Sequence, residues 1–221
     1  MSSISIQRYN APVPETIRDQ VLEIVSDNVT SLSMTHPPVK HPKFNAYKAA
    51  LKLEITTYLE WKPPFRIELV TAVSNERVLG FTLCGFPYKE TSSECGIYYT
   101  AVSKAFRGQG LMSLMVRDIV ARHPAVALSC DVALVPCYER YGFRCYALRQ
   151  HQIIMYIGNP IEETPLIEFS SLLNHPLVME ERRKSEELFS FEEIRRADRE
   201  LDKKLKMDKE KAKRFLAGKM R

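Results

Sequence analysis

The chain has 221 residues, enough for one domain of ordinary size with an appendage and a substantial hydrophobic core. Hydrophobic residues make up 45% and charged residues 27%, the mixture of a globular protein rather than of a disordered or fibrous one. The net charge of +5 is concentrated beyond Glu180, where fifteen Lys and Arg face eleven Asp and Glu. The rest of the chain is nearly neutral, which argues against a nucleic-acid-binding protein.

We also do not expect a membrane protein, a disulfide-stabilised protein or a metal-binding protein. The longest apolar runs, such as Ala125 to Leu128, are too short to cross a bilayer. The N-terminus lacks the basic and apolar regions of a secretory signal. Five cysteines form an odd set without a CxxC spacing, which predicts reduced thiols and a cytoplasmic location. His36 and His41 share a Pro-rich loop without nearby Cys or acidic residues, so we expect no metal site.

The first half of the chain predicts a strand, two helices and three further strands. Apolar and polar residues alternate at its start, and Pro14 is suited to the first turn of a helix. Polar turn residues separate the second and third strands, as in a hairpin. The predicted elements are a strand over Ile4 to Tyr9, a helix from Pro14 to Asp27, a loop over Ser33 to Pro42, a helix over Asn45 to Leu59, and strands over Phe65 to Val73, Val78 to Phe86 and Glu94 to Val102.

The second half alternates helices and strands up to residue 157. The predicted elements are a basic turn over Phe106 to Gly110, an amphipathic helix over Leu111 to Arg122, a buried strand over Val126 to Cys130, a short helix over Pro136 to Tyr141, and strands over Phe143 to Leu148 and Gln152 to Ile157. The order β-α-α-β-β-β-α-β-α-β-β is that of a single α/β domain.

The composition changes after Asn159-Pro160, which predicts a domain over residues 1–158 and a linker with a charged helical tail over 159–221. Ser190 and Glu193 form a capping box at the start of a helix that runs to about Leu216. Its apolar stripe is narrow. Two interpretations are open: a solvated helix that rests on the domain, or a helix that binds a partner or a second copy of the chain.

The stretch from Val102 to Met112 leaves a strand, passes through a turn with two glycines and opens a helix. Such a turn presents backbone N–H groups at the positive end of a helix dipole, which suits a phosphate or pyrophosphate group. Gly108 and Gly110 allow the backbone to approach phosphate oxygens closely. Arg107 supplies a full positive charge, and Lys104 adds a second at the rim.

This stretch resembles motif A of the GCN5-related N-acetyltransferase (GNAT) family, Arg/Gln-x-x-Gly-x-Gly/Ala, with Met112 in place of the final small residue. A second segment, from Asp131 to Phe143, resembles the family's Asn-x-x-Ala-x-x-Phe-Tyr-x-x-x-Gly-Phe element, with Asp131 in place of Asn. The resemblance implies the GNAT fold: a mixed, mostly antiparallel sheet whose fourth and fifth strands splay apart, flanked by helices. It also implies acetyl-CoA as cosubstrate.

The resemblance also implies roles for individual residues. Tyr138 corresponds to the family's general acid, which protonates the departing thiolate, and Glu94 is the acidic candidate for general base on the fourth strand. Cys137 leaves open a covalent acetyl-cysteine route. Tyr98 and Tyr99 are expected to order a water molecule or line the acceptor pocket. The implied acetyl-CoA-binding residues are Thr100, Ala101, Val102, Arg107, Gly108, Gln109, Gly110, Leu111, Met112 and Asp131.

Two functions are therefore open. The first is transfer of an acetyl group from acetyl-CoA to a primary amine of a protein or small molecule by direct attack in a ternary complex. The second is a catalytically idle GNAT-fold protein that acts through its C-terminal helix on a partner or on a second copy. The acceptor is set in this family by the segment over Ser33 to Pro42 and by the last two strands, which here lack the acidic cluster suited to a polyamine.

Overall fold

A seven-stranded mixed sheet organises the computed structural model, which describes residues 3–89, 93–159 and 162–219. Its strands lie in the order β1-β2-β3-β4-β5-β7-β6. Only β4 and β5 pair in parallel, and every other neighbouring pair is antiparallel. The predicted sheet is confirmed. The strands are β1 (Ser5–Asn10), β2 (Ile67–Ser74), β3 (Arg77–Gly85), β4 (Cys95–Val102), β5 (Val126–Cys130), β6 (Arg144–Arg149) and β7 (Gln152–Ile157).

The β2–β3 hairpin is the centre of the core because both of its faces are buried. Val70 and Ala72 face one cluster of core residues, whereas Leu69 and Val73 face the other. Alternate side chains of a strand point to opposite faces, so a strand buried on both sides must be apolar throughout. This explains the continuous hydrophobic runs in the sequence here.

Helices cover both faces of the sheet. Five of them belong to the predicted domain: α1 (Glu15–Asp27), α2 (Val29–Leu32), α3 (Phe44–Glu60), α4 (Leu111–Arg122) and α5 (Val135–Glu139). The apolar sides of α1 and α3 pack on one face, and those of α4 and α5 pack on the other. The ends of these helices differ from the predicted ones by a few residues. Among the described residues, no helix is long and apolar enough to cross a membrane.

The C-terminal region is more structured than the sequence predicts. It contains α6 (Phe169–Leu172), α7 (Pro176–Leu188) and α8 (Phe191–Lys219), of which the sequence predicts only the last. The capping box is confirmed, since the Ser190 amide donates to Glu193 at 2.8 Å and the Glu193 amide donates to Ser190 Oγ at 3.3 Å.

The long helix α8 rests on the domain. Ala212 is fully buried in the cluster that contains α4 and α5. Lys43 donates to Asp198 at 2.6 Å near the start of α8, and Lys219 donates to Glu139 at 2.6 Å at its end. These contacts agree with the first of the two interpretations of the tail. Pro160 and Ile161 lie outside the described residues, and the division at residue 158 stays a prediction.

Candidate active site between β4 and β5

The two central strands separate after a short parallel contact. Cys95, Gly96 and Ile97 of β4 pair with Val126, Ala127 and Leu128 of β5, and no further pair joins the two strands. The β5 strand continues beside β7 instead, to the pair Cys130 and Ile153. Within the described part of the chain, residues 98–102 therefore have no strand partner on this side. An extended ligand can hydrogen-bond to such an edge as an added strand would.

A bulge in β4 begins where the strands separate. Leu83 of β3 lies opposite Tyr99, but the next residue, Cys84, lies opposite Ile97, so Tyr98 is an extra residue on β4. Bulges re-aim side chains beside active sites. Here, Tyr98 and Tyr99 both pack toward the α1/α3 cluster, although consecutive strand residues normally point apart. The bulge thus places two phenol rings on the same face of the sheet.

The glycine turn before α4 is exposed and open. Gly108 and Gly110 have φ angles of 75° and 78°, in the left-handed region that favours glycine. A methyl group added to either would meet no other atom within 4 Å. Their requirement for glycine is therefore conformational. The N-terminal amides of α4, from Leu111 onward, face this open space and have no side-chain cap, which leaves them available to an anion.

Arg107 has a second role that the sequence does not reveal. Its guanidinium donates to the side chain of Asn28, which is buried at the junction of α1 and α2. It also donates to the carbonyl of Val102 at 3.5 Å. The charge of Arg107 remains beside the turn, but the side chain also ties the turn to the opposite face of the domain.

Tyr138, on α5, lies close enough to Thr100 of β4 for the Thr100 hydroxyl to act on its pKa. Tyr138 is only 6% exposed. Burial raises the pKa of Tyr138, so the phenol stays protonated. Burial also raises the pKa of the nearby Cys130 thiol to about 12. Burial thus raises the proton affinity of a thiolate and of the Tyr138 phenolate alike, which keeps a phenol proton available in the gap between β4 and β5.

The two other predicted catalytic side chains, Glu94 and Cys137, lie in less favourable positions. Glu94 precedes β4 at its paired end and accepts from the amide of Glu162 at 3.1 Å. An eight-residue strand separates it from the glycine turn, roughly 25 Å of extended chain. Cys137 accepts from Arg140 at 3.4 Å. Glu94 therefore lies at the far end of β4 from the glycine turn, whereas Cys137 lies next to Tyr138 on α5.

A buried carboxyl group on α3 is a further candidate functional residue, which the sequence does not reveal. Glu54 is 8% exposed and lies beside Tyr99, whose hydroxyl favours the ionised carboxylate. Burial raises the pKa of Glu54 to about 7, although the Tyr99 hydroxyl and the positive charge of Arg149 act in the opposite direction. The same burial, with the negative charge of Glu54, raises the pKa of Tyr99. The available signal was an acidic residue in the middle of the apolar side of α3.

Three side chains from distant parts of the sequence meet at the end of β5. Asp131 follows β5 directly, His36 comes from the loop between α2 and α3, and His151 from the β6–β7 turn. His36 Nε2 lies 3.1 Å from His151 Nε2 and 3.3 Å from Asp131 Oδ1. The hydrogen bond to Asp131 raises the pKa of His36. Burial is the largest single effect on Asp131 and opposes its ionisation, but the interactions with His36, Gln152 and His151 together hold the pKa of the carboxyl below its usual range.

Comparison with known proteins agrees with this geometry. Residues 33–143, half of the chain, match the model of the acetyltransferase (GNAT) family. An acyl-CoA N-acyltransferase from Pseudomonas aeruginosa has a similar fold, with a TM-score of 0.52 and 16% identity over 71% of this chain and 100% of that chain. PH1933 from Pyrococcus horikoshii OT3 gives a TM-score of 0.52 and 14% identity over 72% and 100% of the two chains.

None of the curated proteins matches the chain significantly. At 14–16% identity, the two solved structures show the fold alone. The family match, the separated central strands and the glycine turn lead to the same conclusion: the chain belongs to the GNAT acetyltransferase family.

Proposed function

We propose that this protein transfers the acetyl group of acetyl-CoA to a primary amine within a ternary complex. The observation that carries the proposal is the separation of β4 from β5, together with the open glycine turn that follows β4 and the buried phenol of Tyr138 on α5. The pyrophosphate would bind the amides and charges of residues 107–112, and the pantetheine arm would bind the free edge of Thr100, Ala101 and Val102. Asp131 would lie at the β5 side of the arm.

Glu54 is the proposed general base, in place of Glu94. A carboxyl group with a pKa of about 7 is suited to accept a proton near neutral pH. Tyr99 connects it to the α3 side of β4, because the Tyr99 hydroxyl lies beside the Glu54 carboxyl group. The proton of the attacking amine would pass through Tyr99, or through a water molecule ordered by it, to the carboxylate.

The proposed reaction includes two proton transfers, one from the amine to Glu54 and one from Tyr138 to the sulfur. The amine nitrogen attacks the thioester carbon, and the N–C bond forms while Glu54 accepts the proton that the nitrogen loses. The oxyanion is stabilised by backbone N–H groups on the free edge of β4. The C–S bond breaks, and the sulfur receives a proton from Tyr138. Bulk water then restores the proton of Tyr138, and Glu54 releases its own proton to water.

Calorimetry with acetyl-CoA, followed by a labelled acetyl-CoA assay on small amines and protein N-termini, tests the function. We expect one acetyl-CoA per chain and transfer to at least one amine. Absence of acetyl-CoA binding would refute the proposal and support the alternative of an idle protein that acts through α8.

The pH profile tests the base. We expect kcat/KM to rise with pH through a midpoint near 7, and the Glu54→Gln variant to lose this midpoint with a loss of about 10²-fold above it. Glu60→Gln is the matched control because Glu60 lies on the same helix but pairs with Arg18 at the surface. A Glu54→Gln profile identical to that of the unmodified protein would exclude Glu54 as the base.

A further inference from the structure

We propose that His36, Asp131 and His151 form a binding site for a divalent transition-metal ion, with zinc as the reference ion. The ligand atoms of the three residues all lie within 4.8 Å of one another, and both histidines are buried. Two imidazoles and one carboxylate are a ligand set that proteins use for Zn²⁺, with the fourth position left to water. This inference rests on the geometry of the cluster and not on the proposed acetyl transfer.

The distances fit a tetrahedral ion. Zn–N and Zn–O bonds of about 2.0–2.1 Å give a separation of about 3.3 Å between neighbouring ligand atoms of a tetrahedron. The Nε2 atoms of His36 and His151 are 3.1 Å apart, and His36 Nε2 lies 3.3 Å from Asp131 Oδ1. Small shifts of these side chains would place one ion at bonding distance from all three.

Neighbouring groups already hold the ligands in the required orientation. His36 Nδ1 lies 2.9 Å from the carbonyl of Thr30, to which it donates, so Nε2 is the atom directed into the cluster. Gln152 donates to Asp131 Oδ1 at 3.3 Å, and Ser129 in turn donates to Gln152 at 2.8 Å. Metal ligands characteristically have such outer partners, which fix the ring orientation and the carboxylate.

The backbone at both histidines is unusual. His36 has a φ of 46°, and Gln150, which precedes His151 in the turn, has a φ of 56°. Non-glycine residues rarely occupy this left-handed region, and those that do cluster at functional sites because the surrounding structure must compensate for the strain. Each of the two segments thus contains a residue in an unfavourable backbone conformation, and each directs a buried imidazole toward the cluster.

The site would fasten the loop over residues 33–43 and the β6–β7 turn to the end of β5. These segments flank the side of the gap where Arg149 approaches Glu54. Lys204 and Asp208 of α8 act electrostatically on His151, so α8 passes close to the cluster. The ion would hold these segments, which are distant in sequence, in a fixed arrangement at the end of β5.

Calorimetry with Zn²⁺ on the full chain, after treatment with a chelator, tests the site. We expect one ion per chain, and an affinity at least about 100-fold weaker in His151→Gln and Asp131→Asn, because loss of an outer partner alone costs 10–100-fold. His123→Gln is the control, since His123 contacts Ser93 elsewhere in the fold and leaves the cluster intact. Co²⁺ provides an independent readout through its visible absorption, which reports the coordination geometry.

Thermal unfolding with and without Zn²⁺ provides a second test of zinc binding, which can be used even if a variant is unstable. Asp131→Asn changes only the charge, so its fold should persist while the zinc-induced rise in Tm disappears. Equal zinc affinity in the unmodified chain and in Asp131→Asn would overturn the proposal, as would failure of the unmodified chain to bind one Zn²⁺. The cluster would then be an ion pair between His36 and Asp131 only.

Discussion

The two ends of the gap between β4 and β5 are built in different ways. At the proposed cofactor end, the binding groups would be backbone amides on an exposed turn that contains Gly108 and Gly110. At the acceptor end, the groups are buried or half-buried side chains, such as Glu54 and Tyr99, that meet from separate segments. A backbone site depends mainly on local conformation, whereas a side-chain site depends on the whole fold. The cofactor end should therefore tolerate changes elsewhere, and the acceptor end should not.

Tyr138→Phe should give the largest effect, because it removes the only proton donor proposed for the sulfur and leaves the ring in place. We expect kcat to fall by about 10² to 10⁴-fold, with acetyl-CoA affinity nearly unchanged. Tyr146→Phe is the control, since Tyr146 is half-exposed on β6. Steady-state kinetics and calorimetry measure the two effects separately. Full activity in Tyr138→Phe would mean that water or another residue protonates the thiolate.

Burial of Glu54 at the acceptor end should make the free energy of unfolding depend on pH. The folded-state pKa of Glu54 is raised from 4.5 to about 7. Its contribution to stability is thus fully present below about pH 4.5 and is lost as pH rises through about 7. Glu54→Gln removes this loss of stability at high pH, because glutamine does not ionise. At about pH 8 the variant should exceed the unmodified protein by on the order of 3 kcal/mol in unfolding free energy.

Denaturant titration at about pH 5 and about pH 8 measures this difference, with Glu60→Gln as the exposed control. The gain from Glu54→Gln should shrink at the lower pH, where the glutamate is largely protonated in the folded protein. A gain that is equal at both pH values would show that ionisation of Glu54 is not its source.

Ala212→Leu tests how firmly the end of α8 is packed on the domain. Ala212 has no exposed surface, so a larger side chain should cost about 1–3 kcal/mol or displace the end of α8. We expect acetyl-CoA binding to persist in either case, because the glycine turn lies outside α8. Limited proteolysis should show earlier cleavage within α8. Global unfolding of the variant would contradict a domain boundary at residue 158.

Gly108→Ala should give the smallest effect. A Cβ meets no neighbour at this position, so the cost is the left-handed backbone alone, about 1–2 kcal/mol. If the turn relaxes to avoid this strain, acetyl-CoA affinity should fall about tenfold. Gly218→Ala is a matched control in equally open space but without a positive φ, and it should leave affinity unchanged. Equal affinity in both variants would remove the turn from the binding site.

The difference between the two ends also explains what could be predicted from the sequence. The order of strands and helices up to residue 157 follows from hydrophobic patterns and turn residues. The glycine turn can be recognised in the sequence because its residues follow one another. Glu54 was missed because its significance depends on contact with Tyr99, and the sequence gives no such pairing. The same holds for His36 and His151, which lie 115 positions apart.

The helices α6 and α7 were missed for another reason. Their segment has few apolar residues, and α7 is fixed by Val178, which packs against Ala46 and Ala50 of α3. A largely charged helix with one buried apolar residue has too weak a hydrophobic pattern to be predicted without its packing partner. For Glu94, the sequence predicts the strand, and the structure places the residue at the end of β4 away from the glycine turn, so its role as a base stays a prediction.

The attachment of α8 has a consequence for the timescale of acceptor binding. Its 29 residues are held by a few buried side chains and by ion pairs near its two ends. Hydrogen bonds in such a helix open without unfolding of the sheet, so its amide hydrogens should exchange with solvent earlier than those of β2 and β3. Salt weakens exposed ion pairs more than buried contacts. The opening rate of α8 should therefore rise with ionic strength, whereas exchange of the amides in β2 and β3 should depend on salt much less.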